Sequence, residues 1–188
     1  TENAETIIAE NKKDLTAGKE NGLSDAMLDR LMLDNDRIVK IASAIREIIA
    51  LDDPVGKTIS GTKRPNGLMI SKVTVPLGVI AVIFEARPNV TVDAAVLCLK
   101  SSNACILRGG KEAINSNKAI AAVMRDAIER AGLPRDCVAL VEDTSRQSAT
   151  ELMQLSEYLD VLIPRGGAGL IKSVVAHAKV PVIETGVG

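Results

Sequence analysis

Apolar residues follow two different spacings along this chain, and the change between them divides it. Up to about residue 56 the spacing is helical. Residues 3 to 20 mix polar and apolar side chains, Gly22 interrupts them, and Ser24 followed by Asp25 has the form of a second helix start. Asp34 stands where it can cap a third helix, in which Ile38, Ile41, Ile45, Ile48 and Ile49 share one face. Pro54 and Gly56 close that segment. A stripe of this kind is a packing face, so the three helices read as scaffold. From Lys57 to Val75, short pieces broken by Gly61, Pro65-Asn66-Gly67 and then Pro76 predict a β-hairpin excursion.

After Pro76 apolar runs of strand length alternate with helical patterns. Strands are predicted near 77–84, 104–108, 137–141, 160–163 and 181–184, with helices over 90–101, 113–131, 145–156 and 167–177. Leu77 to Phe84 is apolar almost throughout, as a parallel strand covered on both faces requires. Gly132-Leu133-Pro134 ends the longest of these helices with a glycine followed by proline. Alternating βαβ units demand right-handed crossovers and a mostly parallel sheet. The predicted class is α/β: a Rossmann-like sheet flanked by helices (77–188), preceded by a helical segment (1–56) and the hairpin (57–76).

Composition narrows the function. At 188 residues, 46% apolar and 25% charged, the chain can bury roughly two thirds of its unfolded surface and is not disordered. Its net charge is -1, Lys and Arg are spread along it, and it has one Tyr, one Phe and no Trp. A nucleic-acid surface would need a basic footprint and a stacking platform, so neither partner nor role of that kind is expected. Cys98, Cys105 and Cys137 form no CxxC and His177 is the only histidine, which argues against a metal site. Three unpaired thiols, no signal peptide and no apolar run near ~20 residues predict a cytoplasmic protein without a membrane partner.

In open α/β sheets ligands bind beyond the carboxyl ends of the strands. The first parallel strand empties into Glu85-Ala86-Arg87-Pro88-Asn89, which makes Glu85, Arg87 and Asn89 candidate substrate-binding residues and Asn89 a candidate catalytic one. On the residues alone, Asn89 serves equally as a cap for the next helix, and Arg87 equally as an ion-pair partner of Glu85. Gly166 and Gly167 follow Arg165 at a later strand end and open a helix near Ala168. There backbone N–H groups and the helix dipole can approach a pyrophosphate, although glycines also simply satisfy a tight turn. Arg108-Gly109-Gly110-Lys111 ends the second strand with two cations, either solvated or available to phosphate. No G-x-G-x-x-G follows the first strand, so motif alone assigns no dinucleotide.

Four segments carry a family resemblance: Glu85-Ala-Arg-Pro-Asn-Val-Thr-Val-Asp93, Ile106-Leu-Arg-Gly-Gly-Lys-Glu-Ala113, Ile163-Pro-Arg-Gly-Gly-Ala-Gly169 and Ile183-Glu-Thr-Gly-Val-Gly188. In order and spacing they resemble the γ-glutamyl phosphate reductases, a branch of the aldehyde dehydrogenase superfamily, nearly end to end. The resemblance implies NADPH-dependent reduction of L-glutamyl 5-phosphate to L-glutamate 5-semialdehyde and phosphate in proline biosynthesis. It implies that NADP(H) is held, without the glycine fingerprint, by Arg108, Gly109, Gly110, Lys111, Arg165, Gly166, Gly167 and Glu184. Arg108 stands where the superfamily has lysine, and two cations there suit a 2′-phosphate.

Asn89 corresponds to the superfamily asparagine that donates to the oxyanion, a contact worth on the order of 3 kcal/mol of barrier. Arg87 replaces an aromatic residue, and a fixed charge suits an acyl phosphate or a carboxylate. Glu184 falls where many members carry a general base for thioester hydrolysis; a reductase needs no such step, and a nicotinamide contact or an ordered turn is the other reading. The resemblance further implies a homo-oligomer, in which the hairpin pairs with another subunit or else stays a surface hairpin of its own domain, and a contact with glutamate 5-kinase. The family's nucleophilic cysteine follows the last of the four segments, in a catalytic domain, so it is expected outside this chain. Cys98, Cys105 and Cys137 then read as small apolar core residues. The runners-up are a superfamily reductase of another activated acid and a non-catalytic nucleotide-binding module.

Overall fold

Residues 2–184 are described by a computed structural model. Three helices come first, α1 (Ala4–Glu20), α2 (Asp25–Leu31) and α3 (Asn35–Ala50), followed by the hairpin strands β1 (Thr58–Lys63) and β2 (Met69–Val73). The alternating part runs β3 (Val79–Phe84), α4 (Asn89–Lys100), β4 (Ala104–Arg108), α5 (Ile114–Arg130), β5 (Val138–Leu140), α6 (Arg146–Gln154), β6 (Val161–Arg165) and α7 (Ala168–His177). A single 3-10 turn, Lys111–Ala113, precedes α5. None of the described helices is long and apolar enough to cross a membrane.

β3 organises the sheet because it can be covered on both sides. Its even residues Ile80, Val82 and Phe84 join a core with Val90, Ala95 and Cys98 of α4 and Ile128 of α5. Ala81 and Ile83 point the other way, into a core with Leu152 and Met153 of α6 and Val174 of α7. Burying each of the larger aliphatic side chains contributes roughly 1.5–3 kcal/mol. The strands are parallel in the order β5-β4-β3-β6. The chain therefore steps outward from β3 through β4 to β5, then crosses back to lay β6 on the other side of β3. The crevice between the carboxyl ends of β3 and β6 is the point where the winding reverses.

The α/β class and the parallel sheet are as the sequence implies, with boundary shifts of no more than two residues in the alternating part and one larger difference. In place of a strand at 181–184, the described residues make one parallel bridge, Leu162 to Val182. Leu162 N–H donates to Pro181 O at 2.8 Å, and Ile183 N–H donates to Leu162 O at 3.0 Å. Pro181 itself has no N–H to extend a ladder. At the end of α5 the expected stop is present: Gly132 has φ +81°, Gly132 N–H donates to Glu129 O and Leu133 N–H to Ile128 O.

The α3 stripe packs over most of its length, Ile41 and Ile45 lying against a cluster of Leu33, Val92 and Ile120 that joins the helical layer to α4 and α5, but Ile49 at its end is exposed. Asp34 caps α3 by accepting from Arg37 N–H at 2.8 Å, whereas the Ser24 hydroxyl makes no capping bond to α2. A polar seam supplements this contact. Asp14, 2% exposed, accepts from Asn115 N–H and Nδ2 at 3.1 and 2.8 Å, and from Ser116 N–H and Oγ at 2.7 and 2.6 Å. A carboxylate of α1 thus satisfies the first N–H groups of α5, where the helix dipole favours negative charge. Asn11 beside it donates to Leu31 O and Ser116 Oγ and accepts from Leu33 N–H. The hairpin contrasts with all of this, since every residue of β1 and β2 is exposed.

Candidate functional site

The exit from β3 is a tight turn: Arg87 N–H donates to Glu85 O at 2.7 Å and Val90 N–H to Arg87 O at 3.0 Å. Buried Pro88, with φ -58°, sets the helical direction, and Asn89 becomes the first residue of α4. The half-buried Asn89 side chain caps nothing. Its Nδ2 donates to the Asp93 carboxylate, one turn along, at 3.0 Å. An amide nitrogen has two hydrogens, so one remains for a ligand. Burial raises the Asp93 pKa above its ordinary 3.8, opposed by the Asn89 hydrogen bond and by the charge of Arg165.

Glu85 crosses the crevice. Its Oε2 accepts from Gly167 N–H at 3.1 Å, and a Cβ added at Gly166 would stand 2.7 Å from the Glu85 carboxyl carbon. A side chain at position 166 would displace the Glu85 carboxylate from this place. Glu85 consequently sits with the glycines that open α7 and makes no ion pair with Arg87. The Arg87 side chain is exposed and unpartnered among the described residues.

At the end of β4 the two cations differ. Arg108 is half-buried, and its Nη2 donates to Thr144 O and Ser145 O, both at 2.7 Å, while its Nε is buried without a partner. Burial lowers the Arg108 pKa, against the pull of Asp143 and Glu112. Its first task is to hold the loop between β5 and α6. Lys111 is exposed and has no partner among the described residues. A Cβ at Gly109 would fall 2.2 Å from Asn117 Nδ2 and 3.0 Å from the Phe84 ring, and one at Gly110 would fall 2.7 Å from the Glu112 carboxylate and 3.4 Å from Ala86 N. These glycines let the end of β4 close against the β3 exit. Arg165 and Glu184 are exposed, and Thr185-Gly186-Val187-Gly188 of the last motif lie outside the described residues.

The helical segment contributes more than scaffold. Between α2, α3 and α4 lies a cleft of about 290 Å³, with Arg30, Arg37 and Lys40 on one wall and Asn89 and Asp93 on the other. Sequence reasoning missed this wall because its cations occupy the polar side of helices identified by their apolar stripe. The signal available was Arg37 and Lys40 three residues apart, in step with Ala44.

The three thiols lie elsewhere. Cys98 and Cys105 are 5% and 1% exposed in the core, and half-buried Cys137 precedes β5. Cys105 is in register with Ile80 and Val138, at the amino end of the sheet. Asn89 follows the carboxyl end, four residues of strand away, or about 13 Å. A hydrogen bond that the Cys105 thiol donates to Cys98, reinforced by burial, pushes the Cys105 pKa far above the usual thiol range.

No protein-family model matches the chain. Over 182 residues, 97% of the chain, it is 62% identical to a γ-glutamyl phosphate reductase of Clostridium perfringens, and it covers 44% of that protein. The crystal structure of a γ-glutamyl phosphate reductase from Thermotoga maritima superposes with a TM-score of 0.97 at 44% identity, over 100% of this chain and 45% of that one. A probable aldehyde dehydrogenase from Listeria monocytogenes, at 20% identity and a TM-score of 0.66 over 97% of this chain and 39% of its own, shares the fold alone. The chain is thus similar along its length to γ-glutamyl phosphate reductases and spans a little under half the length of the relatives it matches.

Proposed function

We propose that this chain is the cofactor-binding part of an NADP(H)-dependent γ-glutamyl phosphate reductase, a cytoplasmic enzyme of proline biosynthesis that reduces L-glutamyl 5-phosphate to L-glutamate 5-semialdehyde and phosphate. The observation that carries this reading is the similarity along the whole chain to reductases of that name. The site supports it: Asn89 and the Gly166-Gly167 turn flank the crevice where doubly wound sheets bind dinucleotides.

The residues present fit a nicotinamide dinucleotide. Gly167 N–H is held by Glu85, but Ala168 and Gly169 at the start of α7 are exposed, so their N–H groups can meet a pyrophosphate. Lys111 follows the second strand of the βαβ unit, where the adenosine ribose of a Rossmann ligand is held, and a cation there favours a 2′-phosphate. Arg108 keeps the neighbouring loop in place and adds its charge. NADP(H), when bound, supplies or accepts the hydride. Asn89 directs its second amide hydrogen at the acyl oxygen as negative charge develops there. Arg87, exposed in the same turn, brings a fixed positive charge to the phosphate that departs.

Buried in the core or set at the far end of the sheet, none of the three cysteines suits the nucleophile, so the reading takes it from outside this chain. The same reading makes the enzyme a homo-oligomer. Ile59, Met69 and Ile70 are exposed on the hairpin, and a two-stranded ribbon is marginal until something covers it. Glutamate 5-kinase, whose product is the acyl phosphate, is the further partner of this reading.

The test is phosphate-dependent reduction of NADP by L-glutamate 5-semialdehyde. The enzyme containing this chain should turn over, and the 188-residue chain alone should bind NADP weakly and stay inactive. Turnover by the isolated chain that vanishes on substituting Cys98, Cys105 or Cys137 would overturn the assignment of the nucleophile.

A further inference from the structure

We infer that the cleft between α2, α3 and α4 seats the amino-acid head of the substrate, with Arg30 and Lys40 taking its α-carboxylate, Asp93 its α-ammonium, and Asn89 the acyl oxygen at the reacting end. This rests on the functional reading above and assigns a place to the part of the substrate that does not react.

The charges separate in the way such a head requires. Arg37 is already engaged, donating to the Asp29 carboxylate at 2.6 Å, to Asp29 O and to Met32 O. Arg30 and Lys40 have no partner among the described residues, so two unsatisfied cations face the cleft. Among the described residues, Asp93 is the only carboxylate in its lining. The walls between are apolar, with Met32, Leu33 and Ile41, which suits methylene groups.

The spacing agrees. Asn89 and Asp93 are four residues apart on α4, a rise of about 6 Å, and their bond of 3.0 Å brings the two polar ends closer still. In a glutamyl group the acyl carbon and the α-nitrogen are four bonds apart, or about 5 Å when extended. One helix face therefore meets both ends of the chain. Burial raises the Asp93 pKa, and a bound ammonium would offset that cost. A volume of about 290 Å³ is at the small end of ligand sites, as a short amino-acid chain needs.

The experiment uses the full-length enzyme in the oxidative direction, with L-glutamate 5-semialdehyde, phosphate and NADP varied in turn and butanal as an aldehyde lacking both charges. Arg30→Gln and Lys40→Gln should each raise the KM for glutamate semialdehyde about 10-fold, and the double variant about 100-fold, from the loss of one charge-assisted contact each. kcat, the KM for phosphate and kcat/KM for butanal should stay within about twofold of wild type. Both side chains are exposed and unpartnered, so Tm should not move. An unchanged KM for glutamate semialdehyde in the double variant overturns the inference. So does a rise confined to the KM for phosphate, which would make the cleft the phosphate seat. If the wild-type enzyme turns over none of these substrates, the functional reading fails, and the cleft is judged by calorimetry with L-glutamate: weaker binding to the double variant supports it, and equal binding overturns it.

Discussion

Replacing Asn89 by alanine separates a catalytic donor from a structural one, because the fold asks little of this side chain. Its one hydrogen bond, to Asp93 at 3.0 Å, is half-buried. A bond to a charged acceptor is worth about 1.5–3 kcal/mol at most, and partial exposure brings that nearer about 1 kcal/mol. Alanine recovers a few tenths of a kcal/mol through its helix propensity. At about 2–4 °C per kcal/mol for a domain of this size, Tm should fall by no more than about 4 °C. Losing an oxyanion donor removes about 2.7–4 kcal/mol of transition-state stabilisation, or about 10²–10³ in kcat. Calorimetry of the 188-residue chain gives the first quantity, and steady-state kinetics of the full-length enzyme the second. A Tm loss above about 8 °C with normal turnover per folded molecule would refute the reasoning and return Asn89 to a structural role.

Other substitutions probe other parts of the site and its support. Lys111→Gln should weaken NADPH binding about 10-fold and leave NADH unchanged in fluorescence titrations; equal losses would remove the 2′-phosphate assignment. Arg108→Gln should also lower stability, by about 1–3 kcal/mol, because Thr144 O and Ser145 O lose their donor, so its Tm must be read beside its cofactor affinity. Asp14→Ala strips four acceptor bonds from a buried seam and should cost about 3–5 kcal/mol in urea unfolding, and a loss under about 1 kcal/mol would show the seam to be dispensable. Asp93 has a folded pKa above its unfolded 3.8, so its contribution to stability is present below 3.8 and is lost as pH rises through the folded value. Asp93→Asn should therefore gain on wild type as pH rises from 3.8 through the folded value, and urea midpoints showing the opposite trend would contradict the burial argument.

What the sequence makes legible is what repeats. β3 through α7 follow from apolar runs of two periods, and the α5 stop from Gly132 and Pro134, because burial on one or both faces dictates those patterns locally. Asn11 and Asp14 show the limit. Both look like solvent-facing residues of a polar helix, yet they are buried, and their partners on α5 are about 100 positions away. No local signal reports a bond of that span. The same holds at the site: the turn after β3 announces Glu85 and Asn89 as chemically active, but only the crossing of the sheet brings Gly167 to the Glu85 carboxylate. Arg30 and Lys40 are the reverse case, charges that pattern assigns to water and that the packing of α2 and α3 beside α4 sets around the same cleft as Asn89.

The polar seam under α1 also sets a schedule. Asn11 and Ser116 are 105 positions apart, and Asp14 and Ser116 102. At about 5–20 residues per second, a ribosome releases the helical layer on the order of 5–20 s before its partners on α5 exist. Ile41 and Ile45 must also wait, for Val92 and then for Ile120, and short helices on their own are marginal in water. The earliest part of this chain to be made is therefore among the last to become native, and in the cell the α3 stripe is the segment that most needs a chaperone's cover while α4 and α5 are still being translated.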